Sequence, residues 1–562
     1  MKPQGSDSQS AHSSAFAVQR TAGAKQRFKK AAAQRILVIG LDGAVWTVLR
    51  PMIAAGRLPR LAEAVASGAS GLLRSTTPAL TPAAWTTFLT GKQPGSHGII
   101  DFEQYDHFTN EFRFNSARCR DHVRNIWQIL GDHGLRVGSV NVPMTYPPMP
   151  INGFMISGFE TPGPESEFVY PKELKSEILD RWPDPTQRSK WKRKTFGGLK
   201  LFRANVDYMA RSFHQGAEMT MHLAEKCGWD ALMVVFKLVD NLQHKTWKYL
   251  DPRWPQRDRA KREIVAQCFE EMDRATGTLL DYAKTHGAAV MIVSDHGHGS
   301  LEGKAHPNGL LRKWGYLALH AGAVPEGENE KRPHIGDVEK ALPVDYSKTR
   351  ACVMHAGNAG FLYINLKGRQ PTGIVDPADY EKLRDELIAR LQGEECRVRN
   401  PRGEVIPLFP EVVKPEEAYG CQREDQPWLP DLLLIPHETL SVVRRIRGQT
   451  LVKWFSYRRM EGTHRQDGIF IAAGPGIKHT TDVRAHIVDC APTLIATLGL
   501  PVPEDMEGRV IAEIFEREPV IEKQAVKPRQ VIAGGREPPD AAYSVEDMQK
   551  VTDRLSDLGY LE

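Results

Sequence analysis

The sequence is poor in cysteine and has no long apolar run. Seven cysteines are scattered over 562 residues, without a CxxC pair or a regular spacing. This pattern excludes a disulfide framework and a cysteine-based zinc module, and it favours a reducing compartment. No apolar run reaches the roughly 18 residues of a membrane span, and the N-terminus lacks the apolar stretch of a signal peptide. We therefore predict a cytoplasmic protein without a transmembrane segment.

Positive charge is in excess only at the N-terminus. Residues 1–35 hold seven Lys and Arg against the single acid Asp7, so the net charge of +5 comes from this segment. We interpret residues 1–34 as a disordered basic tail, with a transit peptide as the alternative. The body gives no reason to predict a specific nucleic-acid partner. A second basic stretch, Arg188–Lys200, is interpreted as a solvated loop, with attraction of an anionic substrate, an acidic lipid surface or nucleic acid as the alternative.

Four short apolar runs have the length and composition of buried strands. They are Ile36–Leu41, Ala231–Phe236, Ala288–Val293 and Gly468–Ala472. Runs that are apolar at every position are typical of parallel strands covered on both faces. A helical pattern over Arg257–Thr285 joins the second run to the third, as in a βαβ unit. The sequence therefore predicts an α/β protein with a mostly parallel central sheet and helices on both faces.

The alternation of strands and helices is interrupted by two long segments. Residues about 160–225 and about 306–460 are loop-rich and too long for simple connections, so we interpret them as insertions that form a cap region. They belong to one large domain, residues 35–515, which is followed by a C-terminal extension over residues 516–562. Helical periodicity over Ser544–Gly559 predicts a surface helix in this extension. No prediction of the oligomeric state follows from the sequence.

Acidic side chains follow three of the predicted strands. Asp42, Asp240 and Asp295 should converge, because ligands of an open parallel sheet bind beyond the carboxyl ends of its strands. Three histidines accompany them in the sequence, His244, His296 and His464. Three carboxylates in one place repel one another unless a cation lies among them. The mixed oxygen and nitrogen donor set suits Zn²⁺ or Mn²⁺ better than Mg²⁺ or Ca²⁺.

An ordered series of motifs covers nearly the whole chain. It comprises Ile39–Gly43, Thr76–Gly91, Pro94–Ile99, Asp240–His244, Ser294–Gly297 and Gly462–His464, with weaker echoes at Tyr363–Gly368, Asp489–Leu494 and Arg554–Tyr560. In this order the motifs resemble the alkaline phosphatase superfamily, in the branch of type I phosphodiesterases and nucleotide pyrophosphatases. The resemblance implies an alkaline-phosphatase-like catalytic domain and a small-molecule phosphate ester as substrate.

The resemblance also implies a two-metal site and a covalent mechanism. One divalent ion, usually zinc, would be held by Asp240, His244 and His464, and the other by Asp42, Asp295 and His296 together with Thr81. Thr81 would be the nucleophile and would carry the phosphoryl group in an intermediate. In the sequence, Thr81 and Pro82 also read as the N-cap and first residue of a helix. A threonine hydroxyl needs a metal ion or a base to become an effective nucleophile.

Several further positions carry weaker signals. Nucleotide-hydrolysing members of the family have an Asn three residues after the nucleophile, where this sequence has Ala84, which has no side-chain donor for a phosphoryl group. This difference weakens the prediction of nucleotide specificity. His298 and Arg465 adjoin predicted ligands and are candidates for substrate contact, whereas His97 lies in a Pro-Gly-Ser-His-Gly turn and is predicted to be structural.

Other functions have less support from the sequence. A sulfatase of this superfamily needs Cys-x-Pro-x-Arg, and the nearest match, Cys490–Leu494, has Leu in place of Arg. A P-loop and an HExxH motif are both absent. Three hypotheses remain: a metal-dependent phosphodiesterase or pyrophosphatase, a phosphomonoesterase or phosphoryl or head-group transferase on the same site, and a non-catalytic binding protein that retains the fold.

Overall fold

The computed structural model describes residues 32–558, except residues 121, 183, 188–197, 254–257, 322–343, 356, 425, 447–449, 457–459 and 526–541. The predicted basic tail and most of the basic stretch Arg188–Lys200 lie outside the described residues. Ala33 is buried, and its N–H donates to the carbonyl of Thr497 at 3.1 Å. Packing against the domain therefore begins by residue 33.

The strands lie along the whole described chain. In order they are β1 (Ile36–Leu41), β2 (Ala69–Arg74), β3 (Glu103–Asp106), β4 (Glu111–Phe114), β5 (Val137–Val142), β6 (Gly153–Ser157), β7 (Val169–Tyr170), β8 (Ala231–Phe236), β9 (Ala289–Val293), β10 (Gly297–Leu301), β11 (Gly303–Ala305), β12 (Ala351–His355), β13 (Gly360–Ile364), β14 (Arg397–Arg399), β15 (Val405–Pro407), β16 (Glu411–Val413), β17 (Leu432–Ile435), β18 (Leu440–Val442), β19 (Val452–Trp454), β20 (Glu461–Arg465), β21 (Asp467–Ala473), β22 (Thr480–His486), β23 (Val502–Pro503) and β24 (Lys523–Gln524).

The helices separate most of these strands. In order they are α1 (Trp46–Ala54), α2 (Pro59–Ser67), α3 (Thr81–Thr90), α4 (Pro94–His97), α5 (Ile126–Asp132), α6 (Lys175–Arg181), α7 (Gly198–Cys227), α8 (Leu238–Leu250), α9 (Arg259–Thr285), α10 (Pro307–Lys313), α11 (Tyr380–Leu391), α12 (Pro415–Tyr419), α13 (Cys490–Thr497) and α14 (Val545–Leu558). Two helices, α8 and α9, lie between β8 and β9, and the long helix α9 covers the helical pattern predicted over Arg257–Thr285.

A nine-stranded sheet in the order β22-β2-β21-β9-β1-β8-β5-β6-β7 forms the centre of the protein. β1 pairs in parallel with both β8 and β9, and β5 pairs in parallel with β8 and β6. Antiparallel pairing is confined to β21, which lies between β2 and β9, and to the edge strand β7. The predicted α/β class with a mostly parallel sheet is confirmed.

Side chains from alternate strand positions fill a core on each face of the sheet, as the period of two requires. In β1, Leu37 and Ile39 belong to the first core, which α2, α7 and α9 cover, while Ile36 and Val38 belong to the second core. Trp85 of α3 lies in this second core, which α5 and α13 also cover. Helices thus cover both faces, so strands that are apolar at every position bury both sides.

Two local predictions are wrong. The run Gly468–Ala472 was expected to be parallel, but β21 is antiparallel to its neighbours on both sides. Apolar composition reports burial on both faces and carries no information on strand direction. The segment 160–225 was expected to be loop-rich, yet α7 occupies Gly198–Cys227. Its buried residues include Val206, Met209, Phe213 and Ala217, a helical spacing that lets α7 pack along α9.

Described residues of the segment 306–460 form most of a third hydrophobic core, to which Leu80, Ile100 and Tyr105 also contribute. Strands β12, β13, β17 and β16 form an antiparallel sheet in that order, and α10 and α11 contribute Leu310 and Leu387 to the same core. The described residues of the segment therefore form a packed substructure with its own sheet and helices. The domain boundaries inferred from the sequence stay predictions.

The C-terminal helix α14 lies where the periodicity predicted it. Val551 and Leu555 are buried in the first core. The Arg554 guanidinium donates to the carbonyls of Phe159 at 2.5 Å and Pro162 at 2.8 Å, and also to that of Thr161. Arg554, the first residue of the motif Arg554–Tyr560, therefore holds α14 against the loop that follows β6. In the part of the chain that the structure describes, no helix is long and apolar enough to cross a membrane.

Asp431 is the most heavily bonded carboxylate of the third core. It accepts two hydrogen bonds from Arg369, at 2.8 and 2.6 Å, one from Arg423 at 3.0 Å and one from the Ile364 N–H at 2.6 Å. Burial alone would raise the pKa of Asp431, but the two guanidinium groups lower it to about 2. A carboxylate with a lowered pKa stabilises the fold above about pH 4 and loses this effect as the pH falls towards 2.

We predict that Asp431→Asn destabilises the protein by about 3–5 kcal/mol at pH 7, because two partly buried arginines lose their counter-charge. Urea denaturation measures the difference. Asp385→Asn is the matched control, because Asp385 is 67% exposed in its pair with Lys414, and exposed pairs contribute about 0–1 kcal/mol. Equal, small effects of the two substitutions would contradict the prediction.

Candidate metal centre and active site

The three predicted acids lie at one edge of the central sheet. Asp42 follows β1 directly, Asp295 lies two residues beyond β9, and Asp240 lies in the first turn of α8, just after β8. Since β1 is flanked by β8 and β9, the carboxyl ends of all three strands adjoin. All three aspartates are fully buried. The sheet therefore gathers the carboxylates as the sequence predicted.

Gly43 allows the three acids to approach one another. Its φ of +69° lies in the left-handed region, and its N–H donates to Asp295 Oδ1 at 3.1 Å. A Cβ at this position would lie 3.0 Å from Asp240 Oδ1. A side chain at residue 43 would therefore be strained and would press on the Asp240 carboxylate.

His464 reaches the same edge because β21 is antiparallel. The start of β21 lies at the carboxyl edge, and β20, which precedes it, pairs with β10 in the register His298 to His464. A parallel β21 would have left His464 at the opposite edge of the sheet. The sequence therefore predicted that His464 lies beside the three acids, although it predicted the wrong direction for β21.

Backbone carbonyls fix the orientation of the three predicted histidines. Because a carbonyl can only accept, the Nδ1 atom of each ring must carry the proton, and Nε2 is left with its electron pair. The carbonyls are those of Gly462 for His244 at 2.8 Å, Gly297 for His296 at 2.9 Å and Ala79 for His464 at 3.0 Å. Such bonds are typical of metal-binding imidazoles.

The first cluster forms around Asp240. Its Oδ1 atom lies 3.2 Å from His244 Nε2 and 3.5 Å from His464 Nε2, and the two nitrogens lie 3.1 Å apart. In the tautomers set by the carbonyls, all three atoms offer electron pairs. Three such atoms facing one another fit a cation between them and are unfavourable without one.

The second cluster contains Asp42, Asp295 and His296, whose ligand atoms all lie within 4.8 Å of one another. His296 Nε2 is 3.3 Å from Asp295 Oδ2 and 3.8 Å from Asp42 Oδ1. Among the described residues, neither of these two oxygens has a hydrogen-bond partner. The other Asp42 oxygen accepts from Trp85 Nε1 at 3.0 Å, which fixes the carboxylate. The oxygens without partners fit a second cation.

The two clusters are neighbours. His296 also groups with Asp240 and His464 within 4.8 Å, and the rings of His296 and His464 are stacked with centroids 3.6 Å apart. Divalent ions in both clusters would therefore lie close enough to act on one substrate group.

The pKa shifts of the cluster residues also indicate a site that suits cations. Burial raises the pKa of Asp42 well above its usual value, and repulsion from Asp295 and Asp240 adds to the effect. Burial likewise raises the pKa of Asp295, and it lowers the pKa of His296 to about 4. The site therefore combines neutral imidazoles with carboxyl groups that resist ionisation. Bound cations would favour the ionised form of these carboxyl groups and so make them ligands.

Thr81 lies at the border of the second cluster. Its hydroxyl donates to His296 Nε2 at 3.1 Å. Thr81 was predicted to be the N-cap of α3, and this prediction is wrong. The helix begins at Thr81 and its N-cap is Leu80, whose carbonyl accepts from the Ala84 N–H at 2.9 Å. The hydroxyl therefore faces the cluster.

Three other residues singled out in the sequence contribute to packing, a turn or strand pairing rather than to the two clusters. Ala84 is fully buried in the second core, and its methyl group offers no hydrogen-bond donor. His97 is bonded to the Thr87 hydroxyl at 2.9 Å and accepts from the Ile99 N–H at 3.2 Å, as a turn-stabilising residue does. Arg465 donates to the carbonyls of Ser300 and His464, and it braces β10 and β20 from the face opposite to the His464 side chain.

Of two further residues beside the clusters, the first was not singled out in the sequence, and only a substrate contact was predicted for the second. Lys237 is 1% exposed, donates to Asn241 Oδ1 at 2.6 Å and lies 4.2 Å from the Phe159 ring centroid. Burial lowers the pKa of Lys237 to about 8. Its signal was a lone lysine at the end of an apolar strand, three residues before Asp240. His298, given no more than a possible substrate contact, joins Asp240 and His244 in a third group of potential ligands.

Comparison with known proteins agrees with this geometry. The sequence profile of the type I phosphodiesterase / nucleotide pyrophosphatase family matches residues 36–467, which include both clusters and Thr81. No curated protein sequence matches the chain significantly.

Solved structures show the same fold. Phosphonoacetate hydrolase from Sinorhizobium meliloti 1021 has 18% identity and a TM-score of 0.52, over 84% of this chain and 97% of that one. Human ectonucleotide pyrophosphatase / phosphodiesterase 5 has 12% identity and a TM-score of 0.50, over 86% of this chain and 100% of that one. The central sheet with its covering helices is thus the alkaline-phosphatase-like fold. The chain belongs to the type I phosphodiesterase / nucleotide pyrophosphatase family and is an enzyme that hydrolyses phosphoester bonds.

Proposed function

We propose that the enzyme cleaves phosphodiester or pyrophosphate bonds of small molecules, with Thr81 as nucleophile and two divalent metal ions. The observation that carries the proposal is the Thr81 hydroxyl, 3.1 Å from His296 Nε2, at the border of two adjoining acid and histidine clusters. A threonine that serves only a helix would have no reason to face these residues.

The donor sets fit two divalent ions. One ion would be held by Asp240, His244 and His464, and the other by Asp42, Asp295, His296 and Thr81. We propose zinc, with manganese as the alternative, because imidazole nitrogens and carboxylate oxygens are mixed in both sets. When bound, such ions neutralise the attacking and leaving oxygens of an in-line displacement.

The protein residues would perform a double displacement. Thr81 Oγ1 passes its proton to solvent water and forms a bond to phosphorus, while the bond from phosphorus to the leaving oxygen breaks and that oxygen takes a proton from solvent. A water molecule then attacks the phosphorus, which releases Thr81 and restores its hydroxyl proton. His296, fixed by the Gly297 carbonyl at 2.9 Å, accepts from the Thr81 hydroxyl and positions it before the first step.

The preference for diesters over monoesters rests on family membership. The alternative, a phosphomonoesterase or phosphoryl or head-group transferase, would use the same residues. Ala84, which has no side-chain donor and is buried in the second core, gives no support for nucleotide specificity. A cytoplasmic location also stays a prediction; the six described cysteines are free, as expected in a reducing compartment.

We predict that Thr81→Ala lowers turnover by several orders of magnitude, as loss of a catalytic nucleophile does, while the melting temperature and metal content change little. Thr81→Ser should keep measurable activity, because the hydroxyl remains. Thr90→Val is the matched control on α3, since the Thr90 hydroxyl bonds to the Thr86 carbonyl, far from the clusters. Acid quenching during turnover should trap phosphate on Thr81. Activity of Thr81→Ala within a fewfold of wild type would overturn the covalent mechanism.

We predict two metal ions per chain after zinc loading and one in His464→Ala, because His464 supplies one of the ligand atoms around Asp240. Elemental analysis of the dialysed proteins measures the content. His214→Ala is the control, because His214 is an exposed histidine on α7 and should leave both ions in place. Metal content of His464→Ala equal to wild type would refute this ligand assignment.

We predict that kcat/KM for bis(4-nitrophenyl) phosphate exceeds that for 4-nitrophenyl phosphate by at least about tenfold, or about 1.4 kcal/mol in transition-state binding. Phosphonoacetate is the third substrate of the comparison, since a structural relative is a phosphonoacetate hydrolase. A tenfold preference for the monoester would favour the monoesterase or transferase alternative, and a preference for phosphonoacetate would exclude diesters as the main substrates.

A further inference from the structure

His298 lies inside the first cluster without an assigned role. It is 2% exposed and lies on β10, directly across the ladder from His464. Its Nδ1 atom is 3.4 Å from Asp240 Oδ1. This is the same oxygen that His244 Nε2 approaches to 3.2 Å and His464 Nε2 to 3.5 Å. Three imidazole nitrogens thus surround one carboxylate oxygen.

The environment of His298 differs from that of the other three histidines. Neither of its ring nitrogens has a hydrogen-bond partner among the described residues, whereas each of the others bonds a backbone carbonyl through Nδ1. The His244 ring is 4.6 Å away and the Trp247 ring 5.5 Å away, between centroids. Burying a polar ring without partners costs free energy unless something else binds it.

Gly462 provides the space that the His298 ring occupies. A Cβ at residue 462 would lie 2.4 Å from His298 Nε2 and 2.6 Å from the Gln243 carbonyl oxygen. The same glycine offers its own carbonyl to His244 Nδ1 at 2.8 Å. The glycine before Thr463 and His464 therefore serves two histidines at once, because it bonds His244 and leaves room for the His298 ring beside Asp240.

We propose that His298 is a further metal ligand, which binds through Nδ1 the ion assigned to Asp240, His244 and His464. The inference rests on the two-metal site of the proposed function and extends it. The donors of this ion are then one carboxylate oxygen and three imidazole nitrogens. The tautomer of His298 is not set by a backbone carbonyl, so Nδ1 is able to offer its electron pair while the other three rings offer theirs through Nε2.

A third imidazole increases the difference between the donor sets of the two metal positions. The Asp240 position becomes nitrogen-rich, which suits Zn²⁺, and its four protein donors resemble those of sites that hold zinc tightly. The second cluster keeps two carboxylates and Thr81 against one imidazole, a set with more affinity for oxygen-preferring ions such as Mn²⁺. The two ions should therefore differ in affinity, and the Thr81 position should exchange its metal first.

The test compares His298→Ala, His298→Asn and the control His214→Ala. The Asn side chain is able to donate a hydrogen bond from nearly the position of Nδ1, so it preserves a hydrogen-bonding role for residue 298 but not an imidazole ligand. Zinc affinity is measured by competition with a chromophoric chelator, and the number of donors by the visible absorption spectrum of the Co²⁺-loaded proteins. Circular dichroism shows whether each variant is folded.

We expect both His298 variants to bind one of the two zinc ions at least about tenfold more weakly than wild type, with an altered cobalt spectrum, and His214→Ala to match wild type. Wild-type affinity in His298→Ala, or recovery of affinity and spectrum in His298→Asn alone, would overturn the ligand role. Wild-type protein that retained no zinc would instead overturn the two-metal proposal on which the inference rests.

Discussion

The mutual repulsion of three buried aspartates is the constraint on which the site depends. Asp42, Asp240 and Asp295 are fully buried at adjoining strand ends. Burial and mutual repulsion raise the pKa of Asp42, so the three groups cannot all ionise without positive charge nearby. Lys237 supplies one buried charge, and the convergence of imidazole electron pairs indicates where bound cations would supply the rest. The geometry of the sheet edge thus dictates the chemistry of the site.

The backbone does much of the positioning. Carbonyls of Gly462, Gly297 and Ala79 hold the three histidines with Nε2 directed at the acids. Gly43 and Gly462 leave space that a side chain would fill. Because these contacts are made by main-chain atoms, they persist under many changes of sequence. This agrees with a shared fold at 18% and 12% identity to the two solved structures.

Much of the fold and the membership of the clusters could be predicted, because buried strands and the polar residues at their ends are recognisable in a sequence. An apolar run followed by an acid marks a strand that ends at a polar site, as for Ile36–Leu41 and Asp42. The direction of β21 could not be predicted, since a doubly buried strand looks the same in either orientation. Lys237 was missed and His298 was predicted only as a candidate for substrate contact, because only three-dimensional proximity to Asp240 distinguishes them from ordinary buried residues. The helix start at Thr81 was misjudged by one residue, since a threonine before a proline suits both positions.

The central proposal is that the two clusters hold two neighbouring metal ions beside Thr81. Anomalous diffraction from zinc-loaded crystals, recorded on both sides of the zinc absorption edge, tests it most directly. We expect two peaks, one about 2.0–2.2 Å from His244 Nε2 and His464 Nε2, the other at the same distance from His296 Nε2 and an Asp295 oxygen. A single peak, or zinc bound away from both clusters, would contradict the claim.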